Sequence, residues 1–319
     1  MNIFHHIEEI PADYGPTLVS VGNFDGVHRA HTRVLVEIAD RARRRGAKSV
    51  AVTFEPHPMR ILRPDSGLKL LTPTPEKIRL LQHTGVDAVL LLPFARDLSL
   101  MPPRDFVRYV LCERLKATEV HEGYNFHFGH KAAGNVNLLN ELGRELGFEV
   151  VVYPEMCVRG EPVSSTRIRE LVQEGQVERP RALLGRVFSI RSTAGRGRGY
   201  GAKYTVPTIN LSRYEELVPQ DGVYITRTRV GEECFDSVTN IGNRPTFGEE
   251  SFAIETHLLD FHPLELTAQT EIEIFFLLRL RDEIKFNSVD ELRNQIARDI
   301  HKTRRYFALI KHVAPVQTS

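Results

Sequence analysis

Val21-Gly22-Asn23-Phe24-Asp25-Gly26-Val27-His28-Arg29-Ala30-His31 decides the reading of this chain. The apolar run Thr17–Val21 leads into it. The stripe Val34, Leu35, Ile38, Ala39 and Ala42 follows it and ends at Gly46. That spacing predicts strand, glycine-containing turn and helix, in that order. At such a junction a phosphate rests on open backbone N–H groups and the positive end of the helix dipole. His28 and His31 sit three apart at the mouth of the helix and share a face. They point to imidazoles that grip a nucleotide's phosphates while a nucleotidyl group moves. Such a transfer needs no protein nucleophile, only an oriented α-phosphate and fixed donors for transition-state charge. Two surface histidines in a polar turn are the plainer reading, and the strand–turn–helix context outweighs it.

Outward from this stretch, strand and helix signals alternate. Ser49–Phe54 reads as a strand, and a helix through Gln82 opens with Thr74 as cap and Pro75 in its first turn. Ala88–Leu92 is a strand, Asp105–Leu115 a helix, Thr118–Glu122 extended, Val136–Leu146 a helix and Glu149–Val152 extended. The alternation predicts a parallel sheet with helices on both faces, whose ligands bind at the carboxyl ends of the strands. The character changes near Gly175–Gly185. Beyond it come short β-rich runs, Val187–Arg191, Val206–Leu211, Val223–Arg229, Phe235–Asn240, Ile254–Leu259 and Thr270–Leu280. They predict an antiparallel barrel or sandwich. A helix over Val289–Tyr306 follows, with Ser288 as N-cap and Glu291 three residues on, as in a capping box.

The chain has 319 residues, 41% hydrophobic and 26% charged, with a net charge of +1. This is a soluble two-domain profile, and global charge argues for neither nucleic acid nor a membrane. The 3 cysteines, Cys112, Cys157 and Cys234, give neither metal spacing nor a disulfide framework, so a reducing compartment such as the cytoplasm is expected. No apolar run is long enough to span a bilayer, and the acidic N-terminus does not read as a signal peptide. Arg41–Arg45, with arginines around Ala42, reads as a solvated helix C-terminus. His57, between two prolines, reads as the stiff wall of a pocket.

Three further stretches carry chemistry. Ser164-Ser165-Thr166-Arg167-Ile168-Arg169 offers helix-capping hydroxyls and planar guanidinium donors to phosphate, or else an ordinary capped helix. Gly195-Arg196-Gly197-Arg198-Gly199-Tyr200-Gly201 is a loop whose N–H groups can wrap phosphates. A mobile turn or an RNA-binding Gly/Arg segment are its alternatives. Pro207-Thr208-Ile209-Asn210 puts a hydroxyl and an amide oxygen on one side of an extended segment, suited to Mg²⁺.

Taken in order, these motifs resemble the bacterial bifunctional riboflavin kinase/FAD synthetase family over nearly the whole chain. Gly22–His31 is similar to its G-x-F-D-G-V-H-x-G-H, with Ala30 where glycine is usual. Thr53-Phe54-Glu55-Pro56-His57-Pro58, Gly123-Tyr124-Asn125-Phe126-His127-Phe128-Gly129 and Ser164–Arg169 resemble T-F-x-P-H-P, G-x-[DN]-F-x-F-G and S-S-T-R-I-R. The Gly195–Asn210 stretch resembles G-R-x-x-G-F-P-T-A-N, with Thr205-Val206 where G-F is usual. Ile254-Glu255-Thr256-His257-Leu258-Leu259-Asp260-Phe261 resembles I-E-x-H-L-L-D-F, and Asn240–Phe247 resembles N-I-G-x-R-P-T-F. Leu264-Glu265-Leu266-Thr267 stands where L-Y-G is usual, and Arg281, Glu283 and Lys285-Phe286 fit R-x-E-x-K-F.

The resemblance implies a Rossmann-like nucleotidylyltransferase domain at 1–183 and a riboflavin kinase β-barrel with a terminal helix at 184–319. It implies FMN formation from riboflavin and ATP, then FAD formation from FMN and ATP with release of pyrophosphate. Its site residues fall on His28, His31 and Glu255 as catalytic groups, Glu255 being the base toward the ribityl hydroxyl. Gly22, Phe24, Asp25, Gly26, Asn125, Ser164, Ser165, Thr166, Arg167, Gly195, Gly197 and Gly199 would meet ATP. Asn125 and Arg244 would meet flavin, and Thr208 and Asn210 would hold Mg²⁺. Partners would be riboflavin, FMN, FAD and ATP, without nucleic acid or membrane. The oligomeric state stays open between a monomer and a weak homo-oligomer. Two rivals remain at this point: a transferase whose β-domain only binds flavin, and a non-enzymatic flavin- or RNA-binding protein.

Overall fold

Thr17–Val21 is buried at every residue and lies inside a six-stranded parallel sheet. The strands are β1 (Asn2–Phe4), β2 (Thr17–Val21), β3 (Lys48–Glu55), β4 (Ala88–Pro93), β5 (Ala117–Gly123) and β6 (Glu149–Tyr153). Their order across the sheet is β1-β4-β3-β2-β5-β6. The computed structural model describes residues 1–195, 208–212, 214–246, 249–262, 266–267 and 269–311, without the side chains of 243–252 and 311. The chain divides into two compact units, Met1–Arg167 and Ile168–Ser319.

Alternate residues of the parallel strands feed two cores. Val19, Val21, Val50, Val52, Leu90 and Val120 pack with Leu139 and Leu142 of the helix α3 (Val136–Leu146). Leu18, Ala51, Val89 and Leu91 pack with Leu35, Ile38, Ala39 and Ala42 of α1 (Arg29–Arg45) and with Leu81 of α2 (Thr74–Gln82). Leu35 and Ile38 are fully buried and contribute about 2 kcal/mol each.

Four details differ from the sequence reading. The edge strand β1 was not expected; it is three residues long and its first two are exposed. The helix over 105–115 starts earlier, at Pro103, and Val107–Arg114 is π-wound. That winding aligns Phe106, Val110 and Leu115 on the core. Thr74 is the first residue of α2, and its hydroxyl bonds the Glu55 carboxylate instead of capping the helix. The arginines of α1 are not simply solvated, because Arg41 and Arg45 close on the fully buried carboxylate of Glu119. An unpaired carboxylate there would be costly, so the pair ties α1 to β5.

The second unit is antiparallel. Its strands are β7 (Ser189–Thr193), β8 (Thr208–Asn210), β9 (Gly222–Val230), β10 (Glu233–Thr246), β11 (Glu249–Leu258) and β12 (Glu271–Arg281). Their order is β7-β12-β9-β10-β11-β8. The sheet curls until its two edge strands meet, since Ala194 bridges Leu211 and Ser212 N–H donates to Thr193 O at 2.9 Å. The expected barrel is therefore the observed one. The terminal helix (Val289–Lys311) begins where Ser288 Oγ accepts from Glu291 N at 3.2 Å. The Glu291 carboxylate reaches back to Asn287 N, one residue short of a strict capping box. Arg281 anchors the helix through a two-pronged bond to the buried Asp299 carboxylate, at 3.0 and 2.8 Å.

His121 on β5 gives the first unit a pH dependence. Its Nε2–H donates to Glu119 at 2.8 Å and its Nδ1 accepts from the Tyr153 hydroxyl at 3.0 Å. Burial, with Arg41 next in weight, lowers its pKa to about 4. The unfolded chain binds the extra proton between that value and about 6.5. Stability is therefore complete above about 6.5 and falls as the pH drops through 4, by about 2–3 kcal/mol in all. Urea unfolding measured from pH 7 to 4 should show this loss, and His121→Gln should show a shallower slope.

Candidate active sites

In the first unit the chain runs from β2 through β3 to β4 on one side, then returns to pair β5 on the other side of β2. This reversal opens a crevice at the carboxyl ends of β2 and β5. Backbone pairing of the two strands stops at Val19 and Val120. Above it the buried Glu122 side chain takes over the ladder, accepting from Val21 N at 2.6 Å. Burial pushes its pKa well up from the ordinary carboxylate value, against the Val21 hydrogen bond that lowers it.

The loop that leaves β2 is tightly built. A Cβ on Gly22 would lie 3.0 Å from the Phe24 ring, so a larger residue there would press on Phe24. Phe24 is buried at φ +46° and meets His31 edge-on at 5.1 Å. The Asp25 carboxylate accepts from Leu71 N and Thr72 N, both at 3.1 Å, and Thr72 Oγ1 accepts from Gly26 N at 3.1 Å. Asp25 thus shapes the loop instead of presenting a charge to an anion.

His28 is the N-cap of α1, and its Nδ1 accepts from His31 N at 3.4 Å. The two rings stack with centroids 3.6 Å apart and 15° between planes. His31 shows part of its surface, while its Nδ1 is buried and has no partner among the described residues. Burial, then His28, then Lys77 hold its pKa well below the usual histidine range, so it is neutral.

Lys77 was missed in the sequence. It lies four residues before Leu81 on the buried face of α2. Its Nζ donates to Thr53 Oγ1 at 3.1 Å and to the carbonyls of Asn23 and Phe54 at 3.4 Å. The described partners are three neutral oxygens, and burial lowers the Lys77 pKa, against the pull of Glu55 and Asp25. A lysine inside an apolar stripe was the available signal, and it reads by default as a solvated side chain.

The other expected residues reach the crevice region from two more elements. Asn125 is exposed in the turn that follows β5. Ser164 Oγ caps the helix α4 (Ser165–Gln173) by accepting from Arg167 N at 3.2 Å. Ser165 Oγ donates to Asp25 O at 2.8 Å, which brings that helix end onto the histidine loop. Thr166 is exposed, and Arg167 pairs with Glu161 at 3.1 Å. His57 caps the short helix Pro58–Leu62, accepting from Met59 N at 3.2 Å.

In the barrel, Glu255 pairs with Asn210 of β8 on one side and Asn240 of β10 on the other. Thr208 stands opposite His257 one step along. Directly opposed residues share a face, with Cβ atoms about 5 Å apart. Their neighbours Ile209 and Thr256 are buried on the inner face, so Thr208, Asn210, Glu255 and Asn240 lie together on the outer one. Gly195 N donates to Asn210 O at 2.8 Å, and a Cβ there would sit 2.6 Å from Leu211 O. Gly197 and Gly199 lie outside the described residues, as does the side chain of Arg244.

A family model described as FAD synthetase matches residues 10–167, and one described as riboflavin kinase matches residues 184–307. Fold, sites and matches together define an ATP-using transferase with two different active sites on one chain. The bifunctional riboflavin kinase/FMN adenylyltransferase of Escherichia coli strain K12 is 32% identical over 96% of this chain and 97% of its own. That of Buchnera aphidicola subsp. Schizaphis graminum is 31% identical over 96% and 98%. A crystal structure titled as a macrolide-efflux protein from Streptococcus pneumoniae superposes with a TM-score of 0.84 at 25% identity, covering 95% of this chain and 98% of that one. The chain belongs to the bifunctional riboflavin kinase/FMN adenylyltransferase family. It makes FMN from riboflavin and FAD from FMN, each with ATP.

Replacing Asp25 by alanine strips two buried amides of their acceptor. Each orphaned group costs about 1–3 kcal/mol. Asp25→Ala should lower the thermal midpoint by several degrees in a calorimetric scan and weaken FAD formation. FMN formation should stay within about twofold.

Proposed function

We propose that adenylylation of FMN occurs at the β2–β5 crevice and phosphorylation of riboflavin on the outer face of the barrel. The boundary between the activities is taken at 183/184. What carries the first assignment is the stacked His28–His31 pair at the start of α1, with the His31 Nδ1 orphaned among the described residues. Imidazole nitrogens and the amides of a helix start suit a polyphosphate. Gly22 and Gly26 let the backbone come close, with Phe24 and Asp25 holding the loop. Asn125, Ser164, Ser165, Thr166 and Arg167 line the phosphates, and Asn125 also reaches FMN. Lys77 supplies positive charge from beneath. The FMN phosphate oxygen attacks the α-phosphorus, the α–β bridge breaks, and pyrophosphate leaves.

In the barrel, Glu255 accepts the proton of the ribityl 5′-hydroxyl as its oxygen attacks the γ-phosphorus and ADP leaves. Thr208 and Asn210 are neutral oxygen donors on the same face, and they fit Mg²⁺, which prefers few protein oxygens beside phosphates. When bound, the ion neutralises phosphate charge. Gly195, Gly197 and Gly199 wrap the ATP phosphates and Arg244 contacts the flavin. Among the described residues no helix is long and apolar enough to cross a membrane. The separated thiols support a cytoplasmic setting.

Products separated after incubation with riboflavin, ATP and Mg²⁺ test both assignments. Glu255→Ala should abolish FMN formation yet convert supplied FMN to FAD. His28→Ala should do the reverse, and parallel loss of both reactions in either variant would sink the separation of sites. Ala30→Gly should preserve or raise FAD formation, because Ala30 sits half-exposed in the first turn of α1 where glycine admits closer approach. A clear loss in that variant would show that the methyl group is useful.

A further inference from the structure

Inside the barrel, beneath the Glu255 row, five hydroxyls close a ring. Thr226 Oγ1 meets Ser237 Oγ at 2.8 Å, Ser237 Oγ meets Thr228 Oγ1 at 2.8 Å, and Thr228 Oγ1 meets Thr256 Oγ1 at 3.1 Å. Thr256 Oγ1 accepts from Thr239 Oγ1 at 2.9 Å, and Thr239 Oγ1 meets Thr226 Oγ1 at 2.8 Å. All five residues are fully buried. Each hydroxyl has one donor and spare acceptor capacity, so a five-membered cycle satisfies every donor internally. The one bond whose direction is set, Thr239 to Thr256, then sets the direction of the rest.

Such a ring is an unusual filling for a barrel. Apolar side chains of similar volume would pack without the desolvation cost of five hydroxyls. An apolar filling also tolerates slippage between strands, and a one-residue slip turns every side chain to the opposite face. The ring closes in one register only, because it takes two residues from β9, two from β10 and one from β11. The alignment of β9 with β12 shifts between Ile225 and Thr226, right beside the ring. Pairing of β9 with β10, which the ring spans, runs unbroken through Thr226 and Thr228. On the other face, Thr239 is followed by Asn240 and Thr256 is preceded by Glu255, the opposed residues of the outer row.

We propose that the hydroxyl ring fixes the register of β9, β10 and β11 and thereby aligns Asn210, Asn240 and Glu255 for phosphoryl transfer, making Thr256 and Thr226 positioning residues. The proposal rests on the assignment of the kinase chemistry to the Glu255 row. Ring residues do not touch substrate. Their removal changes how well the row is aligned, not which groups it contains.

The test uses the full chain, with riboflavin and ATP·Mg²⁺ as substrates and FMN as product. Thr256→Val keeps the shape of the side chain and breaks two bonds of the cycle. Thr226→Val breaks the cycle on β9, which carries none of the three row residues. Both should lower kcat for FMN formation about tenfold or more, the scale expected of a misaligned reacting group, with the riboflavin KM within about twofold. Thr256→Ser restores the hydroxyl and should restore kcat, and FAD formation from supplied FMN should be unchanged throughout. Full kcat in folded Thr256→Val and Thr226→Val overturns the proposal. So does a Thr256→Ser variant as impaired as Thr256→Val. If the valine variants fail to fold, Ser237→Ala, which adds no bulk, is read by the same criteria. Glu255→Gln is measured alongside: retained FMN formation there removes the base assignment, while the ring is judged on its own variants.

Discussion

Two parallel strands that pair and then send their chains to opposite sides of a sheet cannot close the gap at their ends. That constraint governs the first unit. Between Thr17–Val21 and Ala117–Gly123 the backbone ladder runs out after Val19, and the buried Glu122 side chain completes it. The loop after Val21 has to turn sharply, pack Phe24 and start a helix within eight residues. The stacked histidines are the outcome of that geometry, because His28 ends the loop and His31 opens the next turn. Asp25 holds the loop from behind by gripping amides 46 and 47 residues away in sequence.

The barrel solves a different problem. Its candidate residues lie on a sheet face, where alternation alone puts Thr208, Asn210, Glu255 and Asn240 together. Alternation also means that any slip between strands would exchange the row for Ile209, Thr239 and Thr256. In the first unit, loops and helix ends hold the candidate residues on a parallel frame. In the barrel the frame itself holds them, so alignment of strands and alignment of candidate groups become one quantity.

The strand–turn–helix order around Val21–Gly46 was legible because apolar spacing changes from continuous to helical across two glycines. Thr208 and Asn210 were legible as a pair because the period of a strand is two. The cap at Ser288 was legible because its partner is local. Long-range pairing was not. Arg41 and Arg45 read as solvated because Glu119, which they embrace, is more than seventy residues downstream. Lys77 went unnoticed because nothing local says that Asn23, Thr53 and Phe54 converge on it. Asp25 fitted a phosphate loop by motif, while its actual amide partners come from the segment before α2. The hydroxyl ring of the barrel was not legible, since its members' facing inward depends on the register of three strands.

The two sheets differ in how they end. The described strands of the barrel meet at the Ala194–Leu211 bridge, where Gly195 N donates to Asn210 O and Ser212 N to Thr193 O. The parallel sheet is open. On one flank it stops at the three-residue strand Asn2–Phe4, too short to template much. On the other it stops at Glu149-Val150-Val151-Val152-Tyr153, a β-prone stretch whose Val152 is 40% exposed. Unsatisfied N–H and C=O groups along such a margin invite a foreign strand. Self-association by strand addition, under stress or at high concentration, would begin at that valine-rich border.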